Sequence, residues 1–404
     1  MKVTINKGRA EGSVTAPSSK SMAHRMLISA ALAEGESVVH GVPFCDDVLA
    51  TIDCLTALGA KFTVDGDTIR VSGTNPHNSA PTAALSCRES GSTLRFMVPL
   101  CLLCGKNIML TGAPSLMRRP MGAYESLSRD KSFTFLHDES SIILRGPLSA
   151  GNYRIAGDVS SQFITGLLFA LPLVDGDSTL DIIPPVVSRP YIDLTLSALE
   201  EFGIVIDWKD DHTLNIRGNQ KYIAHETTVE GDYSGAAFLE ALNLIGGKVD
   251  VKGLRADSLQ GDRVYQTLYK QLECGIPTIH IADCPDLGPI LFALAAAKHG
   301  GIFTGTSRLR FKESDRAECM AEELKKFGTS VTIHDDSVIV YPADFHTPAE
   351  ILCGHNDHRI VMSLAVLLTI TGGTIDGAEA ISKSFPDFFS ELGELGIEET
   401  IYEN

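Results

Sequence analysis

What the sequence lacks narrows its function first. It has no basic excess: 51 acidic residues face 34 basic ones among 404, a formal net charge of −17. That balance argues against a general nucleic-acid or membrane-surface binder, whose affinity needs a basic footprint. No apolar run approaches the roughly 20 residues of a membrane helix, and the stretch from Ile164 to Val174 is representative. The opening MKVTINKGRAEGSV has none of the apolar character of a signal peptide. Nine cysteines form an odd set without the spacing of a disulfide framework. Cys101 and Cys104 make a CxxC inside the apolar MVPLCLLCG, where core packing is expected rather than redox or metal chemistry. A reducing cytoplasm fits these features. Also missing are a GxxxxGK(S/T) loop, a GxGxxG after a strand and a GxSxG elbow, which removes the commonest nucleotide and hydrolase signatures.

What is present is a repeat. A polar motif rich in Ser or Gly leads into an apolar helical stretch, then a glycine, then a short strand-like run. The glycines are Gly35, Gly105, Gly176, Gly247, Gly301 and Gly373, so successive gaps are 70, 71, 71, 54 and 72 residues. Between these points recurs an amphipathic helix ending near Leu-x-x-Leu-Gly, followed by two β-rich runs around a turn, as in TIDCLTALGAKFTVDGDTIRVSG. Asp65–Gly66 and Asp335–Asp336 suit the tight turns of hairpins. Each unit reads as βαβαββ, and a chain of this length exceeds one typical core. The expectation is an α/β (α+β) protein of two similar domains, each of three units about a pseudo-threefold axis. The fourth unit is short, between Val251 and Cys284, and its hairpin is weak. The first unit's opening strand is placed before Lys20, and the crossovers fall near residues 13 and 228. That gives an N-terminal lobe of 14–228 and a C-terminal lobe of 1–13 plus 229–404.

Six polar motifs lead the apolar helices: SSKSMAHR, SGSTLR, SSQF, DYSGAAF, DLGPI and NDHR. Helix N-termini carry partial positive charge and free N–H groups, so converging sets would make an anion-attracting cleft. The scarce cations fall in or near these motifs: Lys20, Arg25, Arg95, Arg118, Arg119, Lys312, Arg316, Arg359 and Lys383. Arg offers a fork for carboxylate or phosphate, and Lys a point charge. Each motif also has a plainer reading. KSMAHR alone fits a solvated basic helix start, and KESDR fits a helix-start ladder of ion pairs. SSQF fits simple N-capping. HNDHR offers His355 and His358 to a metal, but acidic or cysteine ligands nearby in sequence are few, so no metal is expected. Hydrogen bonding or ring packing in the cleft is the better role for His358. Residue patterns alone support a two-domain enzyme for anionic small molecules, without a reaction.

Ten motifs in order, SSKSMAHR, Asp46–Asp47, SGSTLR, LTGAPSLMRRP, GDVSSQF, VSRPYID, DCPDLGP, FKESDR, HNDHR and SKSFPDFF, resemble the EPSP synthase family of enolpyruvyl transferases over nearly the whole chain. The resemblance implies two domains of three βαβαββ units with the active site in the cleft between them, closing on substrates. It implies transfer of the enolpyruvyl group of phosphoenolpyruvate to the 5-hydroxyl of shikimate 3-phosphate, within aromatic amino-acid biosynthesis. No cofactor is implied, since phosphoenolpyruvate already carries the activated group, and a monomer is expected. By resemblance, Lys20, Gly91, Arg119, Gln162, Arg316, Arg359 and Lys383 contact phosphoenolpyruvate. Lys20, Ser21, Arg25, Ser160, Ser161, Gln162, Ser188, Asp286 and Lys312 contact shikimate 3-phosphate. Lys20, Asp286 and Glu313 are the implied catalytic residues, the two carboxylates moving protons. The sequence departs from the family pattern at Glu89–Ser90, where Asn–Ala is common, at Ser92, at Arg308 and in SSKS. The alternatives are the sister transferase acting on UDP-N-acetylglucosamine and a non-catalytic anion-binding protein. Against the first, LTGAPSLMRRP carries no cysteine where that enzyme has a reactive one. Retained Lys20, Asp286 and Glu313 argue against the second.

Overall fold

In the computed structural model, which describes residues 1–402, the apolar stretches become core helices. Lys20–Leu32, Gly91–Leu103, Ser161–Ala170, Tyr233–Leu244, Gly288–Ala297 and His358–Thr371 are buried on nearly every side. A helix that is apolar all round has no face for water and can only sit inside a core. The second helix of each repeat is amphipathic and lies over the core, as with Asp46–Ala57, Arg189–Glu201 and Arg316–Lys326. Gly59, Gly203 and Gly328 follow these three helices at positive φ, where a side chain would be strained.

Six small sheets accompany these helices, five of them four-stranded and built alike. In one, Glu226–Thr228 runs parallel to Glu36–His40, which is antiparallel to Thr68–Ser72, which pairs with its hairpin partner Lys61–Asp65. The sheets around Asn107–Thr111, Ser178–Ile183 and Gly301–Thr304 repeat this order. In the last sheet Leu352–Cys353 and Gly373–Asp376 are completed by the N-terminal strand Lys2–Ile5 and by Glu399–Tyr402. The remaining sheet has two strands only, Glu11–Thr15 and Lys248–Lys252.

The strand before Lys20 therefore departs from the sequence reading. It pairs with Lys248–Lys252, and the first repeat takes its opening strand from Glu226–Thr228. Both segments are short β-rich runs with similar local preference, so distant partners rather than propensity decide where each pairs.

The chain divides into two compact units, one of Lys20–Glu230 and the other of Met1–Ser19 with the chain from Gly231 onward. The sequence placed the crossovers near 13 and 228, and residues 403–404 of its C-terminal lobe lie outside the described residues. Each unit has its own apolar core, the first around Ile28, Phe96, Phe163 and Leu199, the second around Phe238, Leu291, Phe303 and Leu364. Cys101 and Cys104 are buried in the first core, and burial pushes the Cys104 thiol up to about 11. They pack, as expected.

Candidate active site

In the Lys20–Glu230 unit, three core-helix N-termini are joined by one continuous set of polar contacts. The Lys20 ammonium sits 2.8 Å from a carboxylate oxygen of Asp47, itself in the first turn of the next helix. The Asp47 carbonyl accepts from Thr93, whose hydroxyl also donates to Ser90. Ser90 caps the Gly91 helix by accepting from the Thr93 N–H, so the sequence departure at this position installs a cap. Gly91 is where side chains crowd: a Cβ built on it would lie 2.6 Å from Nη1 of Arg119 and 3.4 Å from Nη1 of Arg95. The absence of a side chain is what admits both guanidinium groups. Gln162 then links the next helix, accepting from Arg95 at 2.5 Å and donating to Ser92 at 2.8 Å.

Ser160 caps that helix, accepting from the Gln162 N–H, and Ser161 follows at its first turn, largely buried. Ser188 precedes the helix Arg189–Glu201 with φ 58, a left-handed conformation uncommon for serine and retained most often at functional positions. Arg25 is a tie rather than an open cation. It is buried, and its three nitrogens donate to Thr195 Oγ1, the Ser21 carbonyl and the Tyr191 carbonyl at 2.9, 2.6 and 2.9 Å. With no carboxylate beside it, burial lowers its pKa to about 10. The Arg119 Nε is buried without a hydrogen-bond partner.

The second unit assembles a different cluster, in which carboxylates surround the cations. Arg316, 1% exposed, is its hub. Nε lies 2.9 Å from Asp357, Nη1 2.7 Å from Asp286 and Nη2 2.7 Å from Glu313. Asp286 also meets Lys312 at 3.1 Å and Arg359 at 3.7 Å. Asp357 caps the helix His358–Thr371 and accepts from Ser314. Lys383 donates to the carbonyl and side-chain oxygens of Asn356 at 2.7 and 2.8 Å. Arg359 is buried, and its Nε and Nη1 have no hydrogen-bond partner, so two donors stand ready for an acceptor.

Electrostatics follow from this packing. Burial acts to raise the Asp286 pKa, but Lys312, Arg316 and Arg359 outweigh it and hold the carboxyl well below the usual carboxylate range. Burial lowers the Lys312 pKa, with Asp286 opposing the shift. Asp262 is the exception. It is buried, one oxygen contacts Ser234, the other has no partner, and burial with the nearby Asp286 charge pushes it up to about 7.

Of the candidate residues of the first unit, Lys20, Ser21, Arg25, Gly91, Gln162, Ser160 and Ser161 lie on this linked set or on the helices it joins, Arg119 stands beside Gly91, and Ser188 precedes the helix whose Tyr191 carbonyl accepts from Arg25. Asp286, Lys312, Glu313, Arg316 and Arg359 converge in the second, and Lys383 is tied to the same HNDHR turn. Missed from sequence were Asp47 as the partner of Lys20, Asp357 as the anchor of Arg316, Asn356 as the seat of Lys383, and Asp262. Three of these lie inside flagged motifs, so their neighbours were the available signal. His355 pairs with Glu323 at 2.9 Å, with Cys319 and Cys353 also around it, so the fold brings together ligand types that looked scarce along the chain. Among the described residues no helix is long and apolar enough to cross a membrane.

Comparison with known proteins converges on one family. The family described as EPSP synthase (3-phosphoshikimate 1-carboxyvinyltransferase) matches residues 5–278 and 265–392. The 3-phosphoshikimate 1-carboxyvinyltransferase of Clostridium kluyveri is 36% identical, over 98% of this chain and 97% of its own length. That of Clostridium acetobutylicum is likewise 36% identical, with the same coverage. The solved EPSP synthase of Acinetobacter baumannii shares the fold with a TM-score of 0.80 at 24% identity, over 99% of this chain and 100% of that one.

Proposed function

The chain belongs to the EPSP synthase family, and from that premise we propose that it transfers the enolpyruvyl group of phosphoenolpyruvate to the 5-hydroxyl of shikimate 3-phosphate, releasing phosphate. The observation that carries this reading is the Arg316 hub, which fixes Asp286 and Glu313 on one guanidinium beside the two unsatisfied donors of Arg359.

The roles follow from charge and placement. Arg119 and Arg359, with unsatisfied Nε donors, take phosphate or carboxylate oxygens of phosphoenolpyruvate. Lys383 and Gly91 complete that binding, the one by charge and the other by leaving room for Arg119. Ser160, Ser161, Ser188 and Ser21 offer hydroxyls, and Lys312 a cation, to shikimate 3-phosphate. Gln162 bridges the two through Arg95 and Ser92. Arg25 serves that sugar acid indirectly, holding the Lys20 helix against the Ser188 helix.

The 5-hydroxyl oxygen adds to C2 of phosphoenolpyruvate, its proton passing to Asp286, while C3 takes a proton from Glu313, which must enter the step in its protonated form. The resulting tetrahedral adduct then loses phosphate, which carries off the proton held by Asp286, as C3 returns a proton to Glu313. Lys20 stabilises charge at the reacting hydroxyl. Proton transfer accounts for about 10²–10⁴-fold, so orientation and charge complementarity supply most of the acceleration. Asp286 is a weak base while Lys312, Arg316 and Arg359 all face it. An anion that draws Lys312 or Arg359 away raises its basicity, so binding prepares the base. The reaction is a cytoplasmic one carried out by a monomer.

Phosphate release tests the assignment. It is expected with phosphoenolpyruvate and shikimate 3-phosphate together and absent with UDP-N-acetylglucosamine in place of the latter. Release with the nucleotide sugar alone would reassign the chain to the sister activity, and release with neither would remove the enzymatic reading.

A further inference from the structure

Glu323 is a fully buried carboxylate that no step of the proposed reaction uses. It lies in the last turn of the helix Arg316–Lys326, yet two of its partners come from the strand Leu352–Cys353 and the loop leading on to Asn356. One oxygen accepts from His355 Nε2 at 2.9 Å and the other from the Cys353 N–H at 3.0 Å. The Lys326 ammonium donates to both oxygens at 2.9 Å. The same loop holds two consecutive non-glycine residues in the left-handed region, His355 at φ 48 and Asn356 at φ 52. Such a pair persists only where surrounding contacts hold it. Its consequence is visible at once: this twist aims both the carbonyl and the side-chain oxygen of Asn356 at Lys383.

We infer that Glu323 and His355 form a positioning clamp that fixes the left-handed turn at 355–356, and through Asn356 sets where Lys383 meets phosphoenolpyruvate. The inference rests on the reading of Lys383 as a phosphoenolpyruvate ligand. Glu322, Glu323 and His355 are also near enough to one another to surround a cation. In this structure the Lys326 ammonium and the His355 N–H occupy the Glu323 oxygens as a satisfied ion pair. The groups facing the imidazole are Cys319, Glu322 and Glu323 from the helix and Cys353 from the end of the strand before its loop. The hydrogen bond with Cys319 and that with Glu323 push the His355 pKa up to about 10, so the ring stays charged and the clamp closed through neutral pH.

The test uses the full chain and steady-state kinetics with each substrate varied. His355→Asn keeps a residue that tolerates the left-handed backbone but is too short to reach Glu323. It is expected to raise KM for phosphoenolpyruvate about tenfold, in line with the cost of a sub-ångström to 1 Å misplacement, while KM for shikimate 3-phosphate moves less than about twofold. Glu323→Gln, which retains shape but not charge, shifts the same parameter in the same direction. Lys383→Met raises KM for phosphoenolpyruvate by itself, and His355→Asn added to Lys383→Met causes no further rise, because the clamp acts through that lysine. A double variant worse than Lys383→Met by the full His355→Asn factor would overturn the clamp, as would an unchanged KM in His355→Asn. An unchanged KM in Lys383→Met sinks the ligand reading beneath it, a separate and recognisable failure. In NMR the His355 ring is expected to remain protonated at pH 8, and titration near 6.5 would contradict the ion pair.

Discussion

Gly91 gives the most quantitative handle on the site. In Gly91→Ala the new methyl would begin 2.6 Å from Nη1 of Arg119. Ordinary van der Waals contact needs about 3.5 Å, so one partner must retreat by about 1 Å. The nearest atoms are the ends of the Arg119 and Arg95 side chains and not backbone, so the guanidinium yields and the helix does not. Fold stability should therefore hardly change, with a thermal midpoint within about 2 °C of wild type. Arg119 carries the unsatisfied Nε proposed to meet phosphoenolpyruvate, and a displacement of 1 Å at a positioning group costs up to about 10²-fold. The expected outcome is a rise of about 10- to 100-fold in KM for phosphoenolpyruvate, with KM for shikimate 3-phosphate within about twofold. Initial-rate phosphate release, with each substrate varied at saturation of the other, measures both. An unchanged KM for phosphoenolpyruvate refutes the placement of Arg119 in that subsite. A fall in midpoint beyond about 5 °C refutes the premise that only a flexible side-chain end stands in the way.

Two further outcomes follow from the second unit. Arg316→Met leaves Asp357, fully buried, without its cation, and breaking a buried pair in this way costs about 3–5 kcal/mol. Thermal and urea unfolding should show clear destabilisation together with loss of phosphate release, and a stable but inactive variant would mean the hub serves only the substrate. Asp262 binds its proton up to about pH 7 when folded, whereas an unfolded aspartate releases it near 3.9. The unfolded chain thus binds fewer protons between those values, so stability falls as pH rises through the window, by up to roughly 4 kcal/mol. Asp262→Asn has nothing to ionise, so its melting midpoint should overtake that of wild type progressively from pH 5 to 8. A constant difference across that range would show that Asp262 titrates normally.

The repeat was legible because glycine spacing and the change from apolar to amphipathic helices are local properties. The polar helix starts were legible for the same reason, and they hold Lys20, Arg359 and most of the cations, whereas Gly91 was singled out only by the family resemblance. Partnership was less legible. Arg25 and Arg359 occupy similar helix starts, yet one is spent on Thr195 and two carbonyls while the other retains free donors. Nothing in KSMAHR or HNDHR distinguishes them, because the acceptors come from the distant residues Tyr191 and Thr195 in the first case. Glu323 is one of several charges in the run KESDRAECMAEELKK, and only the fold buries it under the HNDHR loop. The opening strand of the first repeat was misplaced for a related reason. A three-residue strand such as Glu226–Thr228 carries too little pattern to name its partner.

The two clusters handle charge in opposite ways, and the difference bears on chemistry. In the Lys20–Glu230 unit the cations lean mainly on neutral acceptors, carbonyls and hydroxyls for Arg25 and an amide for Arg95, with Asp47 the carboxylate at Lys20. In the other unit Arg316, Lys312 and Arg359 are shared among Asp286, Glu313 and Asp357. There an anion must compete with internal carboxylates, and each cation it wins leaves a carboxylate more basic than before. A reaction that needs tight binding of phosphorylated substrates and also two proton-transferring carboxylates places opposite demands on one field. Because Asp286 shares Lys312, Arg316 and Arg359, an anion that took Lys312 or Arg359 from it would by itself raise the basicity of that carboxylate.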